Sequence, residues 1–197
     1  MQEHEWVAAT RLGVVDADPV DVGEAVLDAA IAVVADRGFH AASVDAIAAE
    51  AGYSVGAIYS NFGGKDDLFL AVFDEHASWF ESVLSEPTTE PSAIEALLAD
   101  EKQFLVFVSF WSYAVRTPKT RRRLATRMAR FREHVARLLE QRARQQGLEP
   151  AAPPEHVATL ALALFRGIAM ERLADRESVP DGLLAGALDA LTNSVTR

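Results

Sequence analysis

Apolar residues recur every three or four positions through most of the chain, and alternating β-branched runs bounded by turns are missing. This spacing is typical of amphipathic helices, so the sequence predicts an all-α fold. The sequence predicts an irregular arm over residues 1–19, and Asp21 and Glu24 then have the spacing of a capping box. The predicted helices are Val22–Arg37, two short helices within Ser43–Phe62, Lys65–Leu84, Ser92–Val115, one from Thr117 and Pro118 to about Gly147, Glu155–Ala174 and Asp181–Val195. A loop with two prolines, Glu86–Pro91, separates the fourth of these from the fifth.

The segment between Ser43 and Phe62 predicts two short helices joined by a glycine turn. Ser43 and Ser54 stand where N-caps are expected, and Gly52 can take the left-handed conformation that ends a helix. The apolar positions at helical spacing are assigned to the core of a small domain: Val44, Ile47, Ile58 and Phe62. This pattern is that of a helix-turn-helix motif, which places its second helix in the major groove of DNA.

Elements on both sides of this motif resemble the DNA-binding domain of the TetR family of transcriptional repressors. Upstream, Val26–Val44 reads VLDAAIAVVADRGFHAASV, which is similar to the first helix of the family and its arginine-glycine-aromatic exit. Downstream, the residues that match the end of the family motif are Tyr59, Phe62, Lys65 and Leu68. The resemblance covers Val20–Phe73 and implies a DNA-binding domain over residues 20–73, followed by a ligand-binding and dimerisation domain over residues 74–197.

The second short helix, Val55–Asn61, would carry the DNA-reading side chains, most of which are small. Serine and asparagine can hydrogen-bond to phosphates or bases, valine and alanine can contact thymine methyl groups, and glycine lets the backbone approach closely. The resemblance implies phosphate contacts from Ser43, Tyr59 and Lys65, while capping alone is the alternative role for the two N-cap serines. The candidate DNA-binding residues are Ser43, Ser54, Val55, Gly56, Ala57, Tyr59, Ser60, Asn61 and Lys65.

Charge argues against tight DNA binding by this segment. Residues 1–75 hold three basic residues against fourteen acidic ones, a formal charge of −11, whereas duplex DNA is bound mainly through lysine and arginine contacts to phosphates. Family members commonly carry basic residues where this chain has Gly23, Ala25 and Val55. Helix N-termini and backbone amides can still bind phosphate, so the sequence predicts DNA binding with few ionic contacts.

A basic stretch lies further along the chain. Residues 116–144 hold eleven basic residues and two acidic ones, which fits either a second nucleic-acid surface or the solvated face of an amphipathic helix. Leu124, Met128, Phe131, Val135 and Leu138 repeat every three or four residues through it and favour the helix. Its charge could also pair with the acidic N-terminal segment, within one subunit or across a dimer.

The predicted helix Ser92–Val115 is rich in aromatic residues, and not all of its rings can face one core. Large rings around a helical bundle can line a pocket for a hydrophobic or aromatic small molecule, as the resemblance to ligand-released repressors implies. Ordinary core packing is the alternative for each ring. The candidate lining residues are Phe104, Phe107, Val108, Trp111, Met128, Phe131 and Phe165.

The resemblance implies a homodimer formed by the last two helices of each subunit. One apolar stripe runs from Val157 to Ile168 through Leu160, Ala161, Leu164 and Phe165, and Leu183, Leu184, Leu188 and Leu191 form a second. A two-fold dimer would present two recognition helices to operator half-sites. A bound effector would alter their separation.

Composition narrows the function classes. The chain has no cysteine, which excludes disulfides and cysteine nucleophiles, and its longest uncharged apolar run is shorter than the ~20 residues of a membrane span. An acidic N-terminus argues against an export signal, so we expect a cytoplasmic protein with no membrane partner. Its five histidines are scattered, without zinc-site spacing or a nucleophile elbow. No enzymatic activity, cofactor or metal is expected, although a helical enzyme and a TetR-like binding module without DNA affinity are alternatives.

Overall fold

A computed structural model describes residues 19–85, 96–145, 147 and 152–194, with side chains described between residues 22 and 191 of these ranges. The described chain contains helices and turns and no strand, so the all-α prediction is confirmed. The helices are α1 Pro19–Ala41, α2 Val44–Ala51, α3 Val55–Phe62, α4 Lys65–Ser85, α5 Glu101–Ala114, α6 Pro118–Gln145, α7 Pro154–Ala174 and α8 Leu183–Ser194. Residues 96–99 are also helical, and Arg176–Ser178 form one 3₁₀ turn.

The predicted helices lie close to the observed ones, with three differences. The first helix already begins at Pro19, so Asp21 lies inside its first turn, and the helix kinks at Gly38, where φ is +76°. The predicted helix Ser92–Val115 is interrupted at Asp100, whose carboxylate accepts a hydrogen bond of 2.9 Å from the Gln103 amide and caps α5.

The third difference concerns Thr117, before α6. Its hydroxyl donates to the Tyr113 carbonyl, so the side chain bonds to the end of α5. Pro118 occupies the first position of α6, as predicted. Gly147, with φ of +69°, follows the end of α6 as predicted. The predicted arm over residues 1–18, the loop Glu86–Pro91 and the ends of two helices at residues 92–95 and 195 lie outside the described residues.

The chain divides into two compact units. In the described residues, the first holds the chain up to Asp74 together with Leu105–Arg121, and the second holds Glu75–Phe104 and the chain from Arg122 onward. Helices α4, α5 and α6 therefore each contribute residues to both units.

The first unit has two layers of core. Side chains from α1, α2 and α3 are fully buried against one another, namely Val26, Ala30, Val34, Ile47 and Ile58. An aromatic layer then joins the end of α1 to α4 and α5: the Phe39 ring centroid lies 4.9 Å from that of Phe69, 5.4 Å from that of Phe110 and 4.6 Å from that of Tyr113. Residues 105–121 thus belong to the core that supports the helix-turn-helix motif.

The second unit is built around α4, α6 and α7. The Phe80 ring centroid lies 5.3 Å from that of Phe131 and 5.1 Å from that of Phe165, and the Phe165 centroid lies 6.1 Å from that of Phe104. Along α6, Leu124, Phe131 and Val135 are buried while most arginines lie at the surface, which confirms the amphipathic helix. In the described part of the chain, none of the helices is sufficiently long and apolar to span a membrane.

Candidate nucleic-acid interface

Both short helices of the motif are capped as the sequence predicts. The Ser43 and Ser54 hydroxyl oxygens each accept a hydrogen bond of 3.1 Å, from the Ala46 and Ala57 amides respectively. Gly52 adopts φ of +74° and donates its amide to the Ala48 carbonyl, which ends α2. These local bonds fix where α2 ends and where α3 begins.

The helix α3 is held at its C-terminal end by Gly63, with φ of +79° and an amide that donates to the Tyr59 carbonyl over 2.9 Å. Ile58 faces the core and is fully buried, whereas Ser60 and Asn61 are exposed and Val55 and Ala57 are half-buried. Tyr59 is 52% exposed, which is high for a large aromatic side chain. One face of α3 therefore anchors the helix, and the opposite face is open for recognition.

Two of the candidate reading side chains are hydrogen-bonded within the helix itself. The Ser60 hydroxyl donates to the Ala57 carbonyl over 3.0 Å, and the Asn61 side-chain amide donates to the same carbonyl over 2.8 Å. The Ser60 hydroxyl oxygen and the Asn61 side-chain oxygen can each still accept a hydrogen bond, and these bonds fix their orientation. The Ser60 hydroxyl would have to exchange its bond in order to donate to DNA, whereas the Asn61 amide keeps a second N–H hydrogen that can donate.

Lys65, at the first position of α4, bonds to the protein. Its ammonium donates to the Phe39 carbonyl and lies 4.2 Å from the centroid of the Phe39 ring, a cation–π distance. Partial burial lowers the pKa of Lys65, and the neighbouring Asp66 carboxylate partly opposes that shift. Lys65 therefore ties the start of α4 to the end of α1, and since an ammonium has three donors, this bond leaves room for a phosphate contact.

The environment of Asp66 differs from what its position in the sequence suggests. The adjacent Asp66 and Asp67 suggest a solvated surface pair at a helix N-terminus, yet the Asp66 carboxylate accepts a hydrogen bond of 3.1 Å from the Tyr113 hydroxyl and another from Thr120. These partners lie 47 and 54 positions away, so no local signal reveals them. They tie the connection between α5 and α6 to the first turn of α4.

The connection between α5 and α6 also changes the charge of the first unit. Arg116, Lys119 and Arg121 are exposed and belong to the first unit. Within residues 19–74 and 105–121, five basic residues stand against nine acidic ones. The unit is still acidic, but less so than its N-terminal segment alone.

The candidate ligand-lining residues are divided between the two units. Phe131 and Phe165 contact Phe80, which is not among the predicted residues, and Phe104 contacts Phe165. Met128 also belongs to the second unit, on α6. Phe107, Val108 and Trp111 belong to the first unit, where Phe107 lies 6.2 Å from the Phe73 ring and Trp111 is exposed. The complete set of seven stays a prediction.

A short capped helix set on a second one across a left-handed glycine turn, with one buried and one open face, defines a helix-turn-helix transcriptional regulator. Residues 26–72 match the family described as bacterial regulatory proteins, tetR family, and residues 91–196 match the C-terminal region of BetI-type transcriptional repressors. The chain belongs to the TetR family.

Individual relatives agree with this assignment. A Fatty acid metabolism regulator protein from Bacillus subtilis is 34% identical over 74 residues, which are 38% of each chain, so the match spans well under half of that relative. Among solved structures, a Rhodococcus protein described as a TetR-family transcriptional regulator has a TM-score of 0.74 at 23% identity, covering 88% of this chain and 99% of the other. GusR of Salmonella enterica has a TM-score of 0.73 at 20% identity, covering 91% and 98%.

Proposed function

We propose that this regulator binds operator DNA as a homodimer through α2 and α3 and that a hydrophobic or aromatic small molecule controls this binding, most simply by releasing a repressor. The observation that carries the DNA-binding role is the open face of α3, fixed at both ends by Ser54 and Gly63. Specificity would come from close fit of the groove around Val55, Gly56 and Ala57.

Phosphate contacts in this proposal come from few groups. The Tyr59 hydroxyl, the Ser43 hydroxyl and backbone amides at the start of α2, and the remaining donors of Lys65 would position the domain on the duplex. Exposed Arg116, Lys119 and other cations of the first unit would add long-range attraction, which salt screens.

Electrostatics supports a second candidate, a TetR-like module that binds a ligand or a protein and has little DNA affinity. Its support is the excess of nine acidic over five basic residues in the described first unit. Both candidates share the same fold, so only a binding measurement separates them.

Selection of genomic fragments by the purified protein, followed by anisotropy titration at several salt concentrations, tests the DNA-binding role. We expect a specific complex whose affinity falls only modestly with salt, because the slope reports the number of phosphate contacts. Tyr59→Phe should weaken that complex, whereas Tyr53→Phe, outside α3, is the matched control. Failure to retain any fragment at low salt, with the protein folded, would favour the second candidate.

The exposed apolar face of α7 and α8 supports the dimer. Leu160, Met170 and Leu183 are 49%, 55% and 44% exposed, and exposed small residues such as Gly167 and Gly186 lie on the same helices. A Cβ atom added at either glycine would meet nothing within 4 Å. Such a surface allows two helices of a second subunit to approach closely.

For the effector, we favour the second unit, where Phe80, Phe104, Phe131 and Phe165 form one cluster. The name of the Bacillus subtilis relative makes a fatty acid the first compound to examine. Because α5 and α6 run from this cluster to the Tyr113 and Thr120 bonds with Asp66, a shift of either helix would act on the start of α4. That is the route by which we expect the effector to alter DNA binding.

A further inference from the structure

Three phenylalanines of the aromatic cluster in the second unit are slightly accessible to solvent. Phe69 and Phe110, in the first unit, are 1% and 2% exposed, while Phe104, Phe131 and Phe165 keep 7%, 9% and 8% of their surface accessible. Each of these three residues therefore leaves a small part of its surface without protein contact. Incomplete packing around large rings lowers the cost of inserting an apolar molecule among them.

One polar atom on the same helices is buried without a hydrogen-bond partner. His134 lies one turn beyond Phe131 on α6, and its Nδ1 atom is 3.7 Å from the carboxylate of Glu81, the residue that follows Phe80 on α4. In the described part of the chain, the Nε2 atom of His134 is shielded from solvent and makes no hydrogen bond. Leaving a buried polar group unsatisfied destabilises a fold, so such atoms are rare.

The neighbours of His134 determine which kind of partner Nε2 lacks. The Arg137 guanidinium lies 3.4 Å from Nδ1, and a guanidinium can only donate, so Nδ1 of the neutral ring accepts and Nε2 carries the hydrogen. The Arg137 contact therefore selects the tautomer in which Nε2 is a donor that needs an acceptor.

We propose that His134 is the polar anchor of the effector site: its Nε2–H group donates to a carbonyl or carboxylate oxygen of a largely apolar molecule whose hydrocarbon part packs against Phe80 and Phe131. This assignment rests on the proposed effector site and specifies the ligand class it accepts. It requires an acceptor oxygen on the ligand and excludes ligands whose head group is a donor only. His134 is thus a specificity-determining residue, and the rings supply affinity.

Calorimetric titration of the full-length chain with two probes of equal chain length tests the anchor. Dodecanoic acid offers acceptor oxygens, and dodecylamine, protonated at neutral pH, offers only donors; both are used below their micelle concentrations. We expect the wild-type chain to bind the acid at least about tenfold more tightly than the amine. Absence of any binding of the acid would overturn the proposal.

Two amide variants at the same position separate the hydrogen bond from packing. In His134→Gln the side-chain amide can place a donor near the Nε2 position, whereas in His134→Asn the amide reaches only as far as Nδ1. We expect the glutamine variant to stay within about twofold of wild type and the asparagine variant to lose about tenfold in affinity for the acid alone. Equal affinities in all three proteins would exclude His134 as the anchor.

A spectroscopic measurement keeps the test decisive if the asparagine variant fails to fold, as judged by circular dichroism. The wild-type protein is labelled with ¹⁵N-histidine, and the Nε2 resonance of His134 is identified as the one that is absent from the spectrum of His134→Gln. This resonance should shift when dodecanoic acid is added. A resonance that does not move would contradict the proposal. Neither assay contains DNA. A failed operator complex therefore counts against the proposed regulator alone, and acid binding that is insensitive to His134 counts against the anchor alone.

Discussion

The carboxylate of Asp66 accepts a hydrogen bond from a hydroxyl group, that of Thr120, which has no access to water. Thr120 is 1% exposed and donates its hydroxyl to the Asp66 carboxylate, which also accepts from Tyr113. Because burial removes water as an alternative acceptor, the bond matters more to stability than its own net energy suggests. One carboxylate thereby connects the first turn of α4 to both ends of the α5–α6 connection.

Asp66→Ala should therefore lower the free energy of unfolding by about 1–3 kcal/mol, the usual cost of leaving a buried hydroxyl unpaired. Asp28→Ala is the control, because Asp28 is exposed on α1 of the same unit. The check is the urea midpoint at an unchanged m-value. Similar midpoints for the two variants would mean that Asp66 makes no net contribution.

His76, half-buried on α4 beside Trp79, predicts a pH dependence of stability. Burial lowers the pKa of His76 below its ordinary value of 6.5, and Asp100 partly opposes this. The unfolded chain then binds the proton more readily than the folded one, so the free energy of unfolding decreases as pH falls from 6.5 toward the lower folded pKa. The effect of this one group cannot exceed about 1.4 kcal/mol per pH unit.

His76→Gln removes this titration and should flatten the decline in stability below pH 6.5. His156→Gln removes an exposed histidine of the same unit and should leave the decline in place. Chemical unfolding between pH 5 and 7.5 provides the measurement. A wild-type slope in the His76 variant would assign the pH response to other groups.

The turn between α2 and α3 uses its glycines in two different ways. Gly52 has φ of +74°, where any side chain is strained, while Gly56 lies within α3, where an added Cβ would meet only the Ser54 hydroxyl oxygen at 3.7 Å. The first glycine is needed by the backbone. Gly56 is not needed for the backbone conformation, and we propose instead that it gives DNA close access to α3.

Gly52→Ala should destabilise the protein by about 1–2 kcal/mol, and Gly56→Ala should stabilise it by about 0.5–1 kcal/mol. If α3 docks closely in the groove, the more stable Gly56→Ala variant will nevertheless bind operator DNA more weakly. Thermal unfolding and anisotropy on the same samples compare the two effects. A Gly56→Ala variant with undiminished affinity would remove this glycine from the interface.

Features of the fold that depend on nearby residues could be predicted from the sequence. Ser43, Gly52 and Ser54 act within three or four positions of themselves, and their caps and turn follow from residue type alone. Helical periodicity located the other helices to within a few residues in most cases. Asp100 shows the limit of that signal, because one cap interrupts an apolar pattern that reads as continuous.

Features that depend on distant residues could not be predicted. The sequence contains no signal that Leu105–Arg121 joins the N-terminal core, or that Asp66 bonds to Tyr113 and Thr120. Likewise, the unsatisfied nitrogen of His134 arises only once α4 and α6 are packed. The proposed DNA-reading helix is a local feature, whereas the residues that support it and the proposed effector site are not.

The proposed dimer yields a test that leaves each subunit intact. Gly167 lies at the surface of α7, and an added Cβ would meet nothing within 4 Å, so Gly167→Arg should not disturb the subunit and should favour the helix by up to about 1 kcal/mol. In a two-fold interface the same change places two arginines close together and blocks close approach of the helices. Gly23→Arg, also open and helical but on α1, is the matched control.

We expect Gly167→Arg to be a folded monomer by light scattering and to bind operator DNA at least about tenfold more weakly, since it loses the simultaneous contact of two half-sites. Gly23→Arg should remain a dimer, and its added cation should strengthen DNA binding and steepen its salt dependence. A dimeric Gly167→Arg protein with normal affinity would place the interface away from this face of α7. Monomers that retain full affinity would instead show that operator binding does not require two linked recognition helices.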